Sequence, residues 1–237
     1  MFWRHIARKG TFVQVKVNLG SGFIGLKDWL NYDNSIVARF GRNRRIARLL
    51  VALKLLPEGY LDIEWPPIVL HDCRRGLPLA DNSVDVVYTS HFFEHLYRHE
   101  VVSLLRESMR VLKPGGMIRV VLPDLDKLLA MYEGRDKAPF PGEEVCTDPA
   151  YTRSDHFVAQ FYPGEMNQLV PPSRIQKFQE RFLHRHKWMY TFESFAALMR
   201  HVGFEKIERK GYRDSAIADA QKLDVLPEVS FYLEARK

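Results

Sequence analysis

Apolar and polar residues alternate along positions 11–19, Thr-Phe-Val-Gln-Val-Lys-Val-Asn-Leu, which predicts a strand running into Gly20-Ser-Gly22. A second, shorter strand is expected at 29–33. From about 42 to 56 apolar residues recur at helical spacing, leaving Arg44, Arg45, Arg48 and Lys54 for the wet face. Pro67-Ile-Val-Leu70 reads as an apolar strand ending in His71-Asp72, and residues 83–90 as another, nearly continuous in apolar side chains. A helix over 98–112 is expected to stop at Lys113-Pro-Gly-Gly116, since proline cannot continue a helix and glycine accepts the left-handed cap. A strand at 117–122 follows, ending at Pro123-Asp124. Strands that alternate with helices and are apolar on both faces predict an α/β fold with a parallel sheet covered on each side.

The regularity stops at Glu133 and does not return until about Lys187, which is too long for an ordinary connection and reads as an insertion with some helix of its own. A helix at 191–201 is stopped by Gly203, and strands follow at 204–209 and 229–235. Two closing strands joined by a long link suit an antiparallel edge.

Composition narrows the partners. Among 237 residues, 35 Lys and Arg face 29 Asp and Glu, and the net charge of +6 favours anionic partners: nucleic acid, a phosphorylated glycan or a membrane surface. Two cysteines, Cys73 and Cys146, lie far apart with no metal-ligand spacing, which argues against a disulfide scaffold. The amino terminus turns polar at once, and the most apolar run, 46–56, is interrupted by Arg48 and Lys54. Neither a signal peptide nor a membrane span is expected, and the cytoplasm is the default compartment.

Polar residues collect at the expected carboxyl ends of the strands, where open parallel sheets bind ligands. Asn18 to Gly22 follow the first strand, Asp33 the second, Asp72 the third, and Ser90 with His91 the fourth. An acid at the second strand end suits a ribose diol, and one at the third can accept from an exocyclic amine. Each position alone also reads as a turn or capping residue.

Their order resembles the class I methyltransferases that use S-adenosylmethionine. Val17-Asn-Leu-Gly-Ser-Gly22 is similar to that family's glycine-rich first motif, and Asp33 falls at its ribose-binding acid. The run from Leu77 to Tyr88, then Phe93-Glu-His-Leu96 and Leu112-Lys-Pro-Gly-Gly116, is similar to its later motifs. The likeness covers roughly 15–124. With Asp28-Trp-Leu-Asn-Tyr-Asp33 and the His-Lys-Trp-Met-Tyr segment at 186–190, the chain resembles predicted bacterial methyltransferases associated with surface-glycan synthesis. The resemblance implies a Rossmann-like, doubly wound, mostly parallel seven-stranded sheet with an antiparallel edge strand, in one domain spanning 1–237. Within it, 11–133 would bind S-adenosylmethionine, 134–190 would be an acceptor-side insertion, and 191–237 the closing helix and strands. The implied cofactor contacts are Asn18, Leu19, Gly20, Ser21, Gly22, Asp33, Asp72, Cys73, Ser90 and His91. Two positions depart from the pattern: Asn18 stands where the family usually has an acid, and Ile24 where it has a third glycine.

His91-Phe-Phe-Glu94-His95 also matches the HxxEH pattern of zinc proteases, but it follows a buried strand instead of lying on a helix that lines a cleft, so no metal is assigned. Whether a divalent ion sits near Glu94 and His95 is left open. His91 and His95 are the candidate bases for an acceptor that keeps its proton, because imidazole titrates near neutrality. In the insertion, Arg174, Lys177, Arg181 and Arg185 share a helical face. Arg174 and Arg181, with His186, Trp188 and Tyr190, are the candidate clamp for an acceptor phosphate or sugar ring. The expected acceptor is a small molecule or glycan, with phosphorylated forms included. An RNA acceptor, or a binding module without catalysis, are the rival readings.

Overall fold

The structure is a computed structural model that describes residues 14–56, 58–146, 148–162 and 185–237. The chain opens with β1 (Lys16–Leu19) and β2 (Leu30–Asp33), then α1 (Ile36–Gly41) and α2 (Arg44–Ala52), β3 (Ile68–Leu70) and β4 (Val84–Ser90). It continues through α3 (Arg98–Val111), β5 (Leu112–Pro123), α4 (Leu125–Tyr132) and α5 (Arg153–Ala159). A late helix, Phe192–Val202, precedes β6 (Glu205–Lys210), a single turn at Ala220–Leu223, and β7 (Ser230–Arg236).

These strands form one seven-stranded sheet in the order β3-β2-β1-β4-β5-β7-β6. β1 pairs in parallel with β2 and β4, β2 with β3, and β4 with β5. β7 alone runs against its neighbours, antiparallel to both β5 and β6. The expected α/β, doubly wound, mostly parallel sheet with an antiparallel element toward one edge is the observed fold. Strand order reverses between β1 and β4, the switch point where such sheets open a ligand crevice beyond their carboxyl ends.

The local differences have physical causes. The helix expected at 42–56 is α2, which stops at Ala52, and the short helix α1 precedes it unannounced; between them the Asn43 side chain accepts from the amides of Arg45 and Ile46 and caps α2. β3 is an edge strand with Val69 and Leu70 exposed, not a strand covered on both faces. The Lys113-Pro-Gly-Gly116 stop does not separate helix from strand. α3 ends at Val111 and β5 begins at once, with Val84 opposite Leu112 and Val86 opposite Met117, so residues 113–116 are extruded as a bulge. Lys113 closes that bulge by binding both Asp85 oxygens at 2.7 Å.

The main core lies between the sheet and the helices α3 and Phe192–Val202, where Leu104, Leu105, Phe195 and Met199 pack on Val87, Ile118 and Leu233. At roughly 1.5–3 kcal/mol for each large apolar side chain removed from water, this face dominates stability. The opposite face carries a smaller cluster around Trp29, Tyr88, Met117 and Tyr232. It is tied down by fully buried Arg119, which donates to Asp224 at 3.0 and 2.5 Å and to Glu234 at 2.8 Å. The same guanidinium donates to the carbonyls of Asp214 and Gly211, which pins the long link before β7 to the sheet. Leu128, Met131, Phe140, Met189 and Val229 form a third cluster under the described part of the insertion. No helix among the described residues is long and apolar enough to cross a membrane.

Candidate active site

The loop after β1 folds back onto the end of β2. The amides of Gly20 and Ser21 both donate to the Tyr32 carbonyl, at 2.9 and 3.1 Å, and the Gly22 amide donates to Asp33 Oδ2 at 2.8 Å. Gly20 and Gly22 have φ of +66° and +49°, a region that side chains with a Cβ enter at a cost. Asn18 explains its own departure from an acid. Its Nδ2 donates to the Ile24 carbonyl at 2.8 Å and closes the far side of the loop, a bond a carboxylate could not give.

A cleft of about 320 Å³ opens beyond the carboxyl ends of β1 to β4, within the range of roughly 300–1,000 Å³ usual for small-molecule sites. Of the sequence-derived cofactor residues, Gly20, Gly22, Asp33, Asp72, Cys73 and His91 line it together. Four do not. Asn18 and Ser21 are buried in the loop's own bonding, and Ser90 ends β4 off the cleft wall. Leu19 is completely buried in the core, because β1 turns it toward α3 and the late helix.

The acids are partly engaged. Asp33 Oδ1 accepts from the Ser35 amide at 2.7 Å, so this carboxylate joins the glycine loop to the start of α1, with a second lone pair on each oxygen for a ligand. Asp72 is held by Arg74, whose Nε and Nη2 bind its two oxygens at 2.8 Å each; that fork keeps the Asp72 carboxyl below the ordinary carboxylate range. Burial pushes the Cys73 thiol up to about 12, aided by Asp33 and Asp72, so it stays protonated.

The fourth strand end carries the histidines. His91, at φ +48°, sets Nε2 3.0 Å from Ser230 Oγ and Nδ1 3.3 Å from Glu94 Oε1. His95 also lines the cleft, and its Nδ1 lies 3.2 Å from the Arg185 carbonyl, which puts the proton on Nδ1 and the lone pair on Nε2. Glu94 is wholly buried between them. Burial alone would raise its carboxyl, but His91 foremost, with His95, holds it below the usual range. His186 is itself pushed down to about 4 by burial and is neutral. Glu94 Oε1, the ring of His95 and the ring of His186 form a group whose ligand atoms lie within 4.8 Å of one another.

The residues assigned to an acceptor separate in space. Arg174 and Arg181 lie outside the described residues. Trp188 is 45% exposed, with the Arg98 guanidinium stacked on it at 4.9 Å. Tyr190 corrects the sequence reading: it is 1% exposed, packed edge-on against Phe195, and cannot stack on an incoming sugar ring. Its backbone bridges to Asp124 and fixes where the insertion rejoins the sheet. Sequence reasoning passed over Tyr32, Asn34, Ser35, Phe92 and Lys187, all on the cleft wall. Asn34 and Ser35 adjoin an assigned residue and could have been found by position. Lys187 could not, because a distant segment brings it there, held by its amide donating to the Glu94 carbonyl at 2.7 Å.

Residues 49–120 match the model of a methyltransferase domain. The match covers under half of the chain and gives a methyltransferase domain over these residues. It runs from the last turn of α2 through the greater part of β5, and so contains the β3 and β4 ends of the cleft. No curated protein matches the chain. Among solved structures it is similar to an S-adenosylmethionine-dependent methyltransferase from Archaeoglobus fulgidus, at 15% identity over 94% of this chain and 86% of that one, with a TM-score of 0.47. It is similar also to S-adenosylmethionine-dependent methyltransferases from Mesorhizobium loti (17% identity, 94% and 90% covered, TM-score 0.45) and Methanosarcina mazei (18%, 94% and 91%, 0.45).

The residues present fit that cofactor. Gly22 has no atom within 4 Å of where a Cβ would stand, so its backbone faces open space, and Asp33 beside it offers the acceptors a ribose diol needs.

Proposed function

We propose that this protein transfers the methyl group of S-adenosylmethionine to oxygen or nitrogen of a small-molecule or glycan acceptor. One observation carries the reading: a single cleft at the sheet's switch point collects the glycine loop, Asp33, Asp72 and the His91/His95 turn. When bound, the cofactor supplies a methyl group already activated on a sulfonium centre, so positioning provides much of the acceleration. The chain's task is to hold the donor at Gly22 and Asp33 and to present the acceptor at the β4 end. There His91 and His95 stand ready to take a proton, His95 at Nε2. Phe92 and Leu96, on the same wall, keep water from the reacting atoms.

Exposed Trp188 and Arg98 form a stacked aromatic–cation pair at the outer end of the same turn, which suits a sugar ring carrying an anionic group. Calorimetry with S-adenosylmethionine and its demethylated product tests the donor half: one-to-one binding is expected, and no heat at millimolar ligand with folded protein refutes it. For the acceptor half, nucleotide-sugars, phosphorylated glycans and transfer RNA are screened with labelled cofactor. Trp188→Ala should then raise the acceptor KM while cofactor affinity stays within about twofold. Loss of cofactor binding in that variant refutes the division of roles.

A further inference from the structure

We propose that Glu94, His95 and His186 form a binding site for one divalent transition-metal ion of the zinc or cobalt type. Two of these residues come from the turn after β4 and the third from the segment that leads into the late helix. The strongest observation is the state of Glu94, whose side chain is 0% exposed. Among the described residues neither of its oxygens accepts a hydrogen bond of ordinary geometry. A buried acid with both oxygens unsatisfied is costly unless a cation or a water stands beside it. Both unsatisfied Glu94 oxygens, with His186 Nε2 4.0 Å from Oε1, point to a missing shared partner.

The geometry suits an ion. His186 Nε2 lies 4.0 Å from Glu94 Oε1, and ligand atoms of all three residues lie within 4.8 Å of one another. Two ligands on a tetrahedral ion at about 2.0–2.1 Å are separated by roughly 3.3 Å, so side-chain rotations of about an ångström would close the set. The His95 and His186 rings already face each other at a centroid distance of 5.0 Å. Two imidazoles and one carboxylate select zinc, cobalt, iron or manganese over magnesium and calcium, which take oxygen ligands.

The backbone holds the pieces in register. The Glu94 carbonyl accepts from the amides of Lys187 and Trp188, so the residue after His186 is tied to the turn that carries the other two ligands. His91, 3.3 Å from Glu94 Oε1 through Nδ1, orients the carboxylate from the side, as the supporting neighbours of metal ligands do. The site adjoins the cleft through His95. Resting on the methyltransfer reading, an ion here would orient an acceptor hydroxyl or carboxylate and make a hydroxyl more acidic. His95 would then ligate in place of taking the proton. Metal binding itself stands independently of that role.

The test uses full-length protein stripped with a chelator and titrated with cobalt(II), followed by zinc(II) and magnesium(II) in competition. One equivalent of cobalt should develop visible d–d absorption, zinc should abolish it at one equivalent, and millimolar magnesium should leave it intact. Glu94→Gln and His186→Ala should each weaken cobalt binding at least about tenfold. Circular dichroism checks the fold, and if Glu94→Gln fails to fold, His186→Ala and the wild-type stoichiometry decide. Sub-stoichiometric cobalt without d–d bands, binding unchanged in His186→Ala, or displacement by magnesium would each overturn the site. Calorimetry of the demethylated cofactor on the same stripped protein separates this outcome from the donor reading, since cofactor heat should persist with or without metal.

Discussion

Asp33→Ala exposes the reasoning about the cofactor cleft most directly. The carboxylate accepts from the Gly22 amide at 2.8 Å and the Ser35 amide at 2.7 Å, in a position only 7% exposed. Hydrogen bonds to a charged group contribute about 1.5–3 kcal/mol, with the lower end fitting bonds that water can partly replace. Losing this strut should therefore destabilise the fold by about 1.5–3 kcal/mol, lowering Tm by roughly 3–12 °C for a chain of this size. A bound ribose diol would lose its acceptor as well. A further 1.5–3 kcal/mol corresponds to a Kd about 10- to 150-fold weaker for the demethylated cofactor. Asp33→Asn should fall between, because its amide nitrogen is set against a backbone N–H while its oxygen still accepts. Thermal denaturation and calorimetry below the variants' Tm read the two effects separately. A lowered Tm with unchanged affinity would show that Asp33 only braces the loop, and unchanged values of both would refute the assignment of the second strand end altogether.

Gly20→Ala should cost more than Gly22→Ala in thermal denaturation, since both need a left-handed backbone, at about 1–2 kcal/mol, but only the Cβ at Gly20 would meet the Phe92 ring, at 2.3 Å. Adding Phe92→Ala to Gly20→Ala should recover part of the loss, and equal costs for the two glycines would contradict the described packing. Asp224→Ala should destabilise by about 3–5 kcal/mol in urea, because it leaves the buried Arg119 charge short of a partner; a loss below about 1 kcal/mol would mean that Glu234 alone suffices. Cys73 should resist iodoacetamide in folded Cys146→Ser protein: with its pKa raised to about 12 the thiol is protonated below that pH, leaving about one part in ten thousand as thiolate at pH 8. Alkylation as fast as in urea would place Cys73 in solvent.

The sequence by itself determined much of the sheet. Alternation and apolar runs located the strands at 29–33, 83–90 and 229–235 to within a residue or two, because burying one or both faces of a strand leaves a periodic trace in the chain. The polar residues at the ends of those strands were legible for the same reason: once a strand end is found, the next residue is at the crevice. Exposure at those ends was not legible. Leu19 and Gly20 are neighbours, yet one is core and the other cleft, and Asp72 reads as a ligand acceptor until Arg74 is seen to occupy it. The proline and glycines at 113–116 announced the end of α3, which stops at Val111, but the bulge they form follows from the pairing of β4 with β5. Tertiary structure alone brought His186 to Glu94 and His95 from a distant part of the chain, because the backbone amides of Lys187 and Trp188 found a carbonyl in the turn after β4. Local pattern records which face of an element is buried; it does not record which distant segment supplies the other wall.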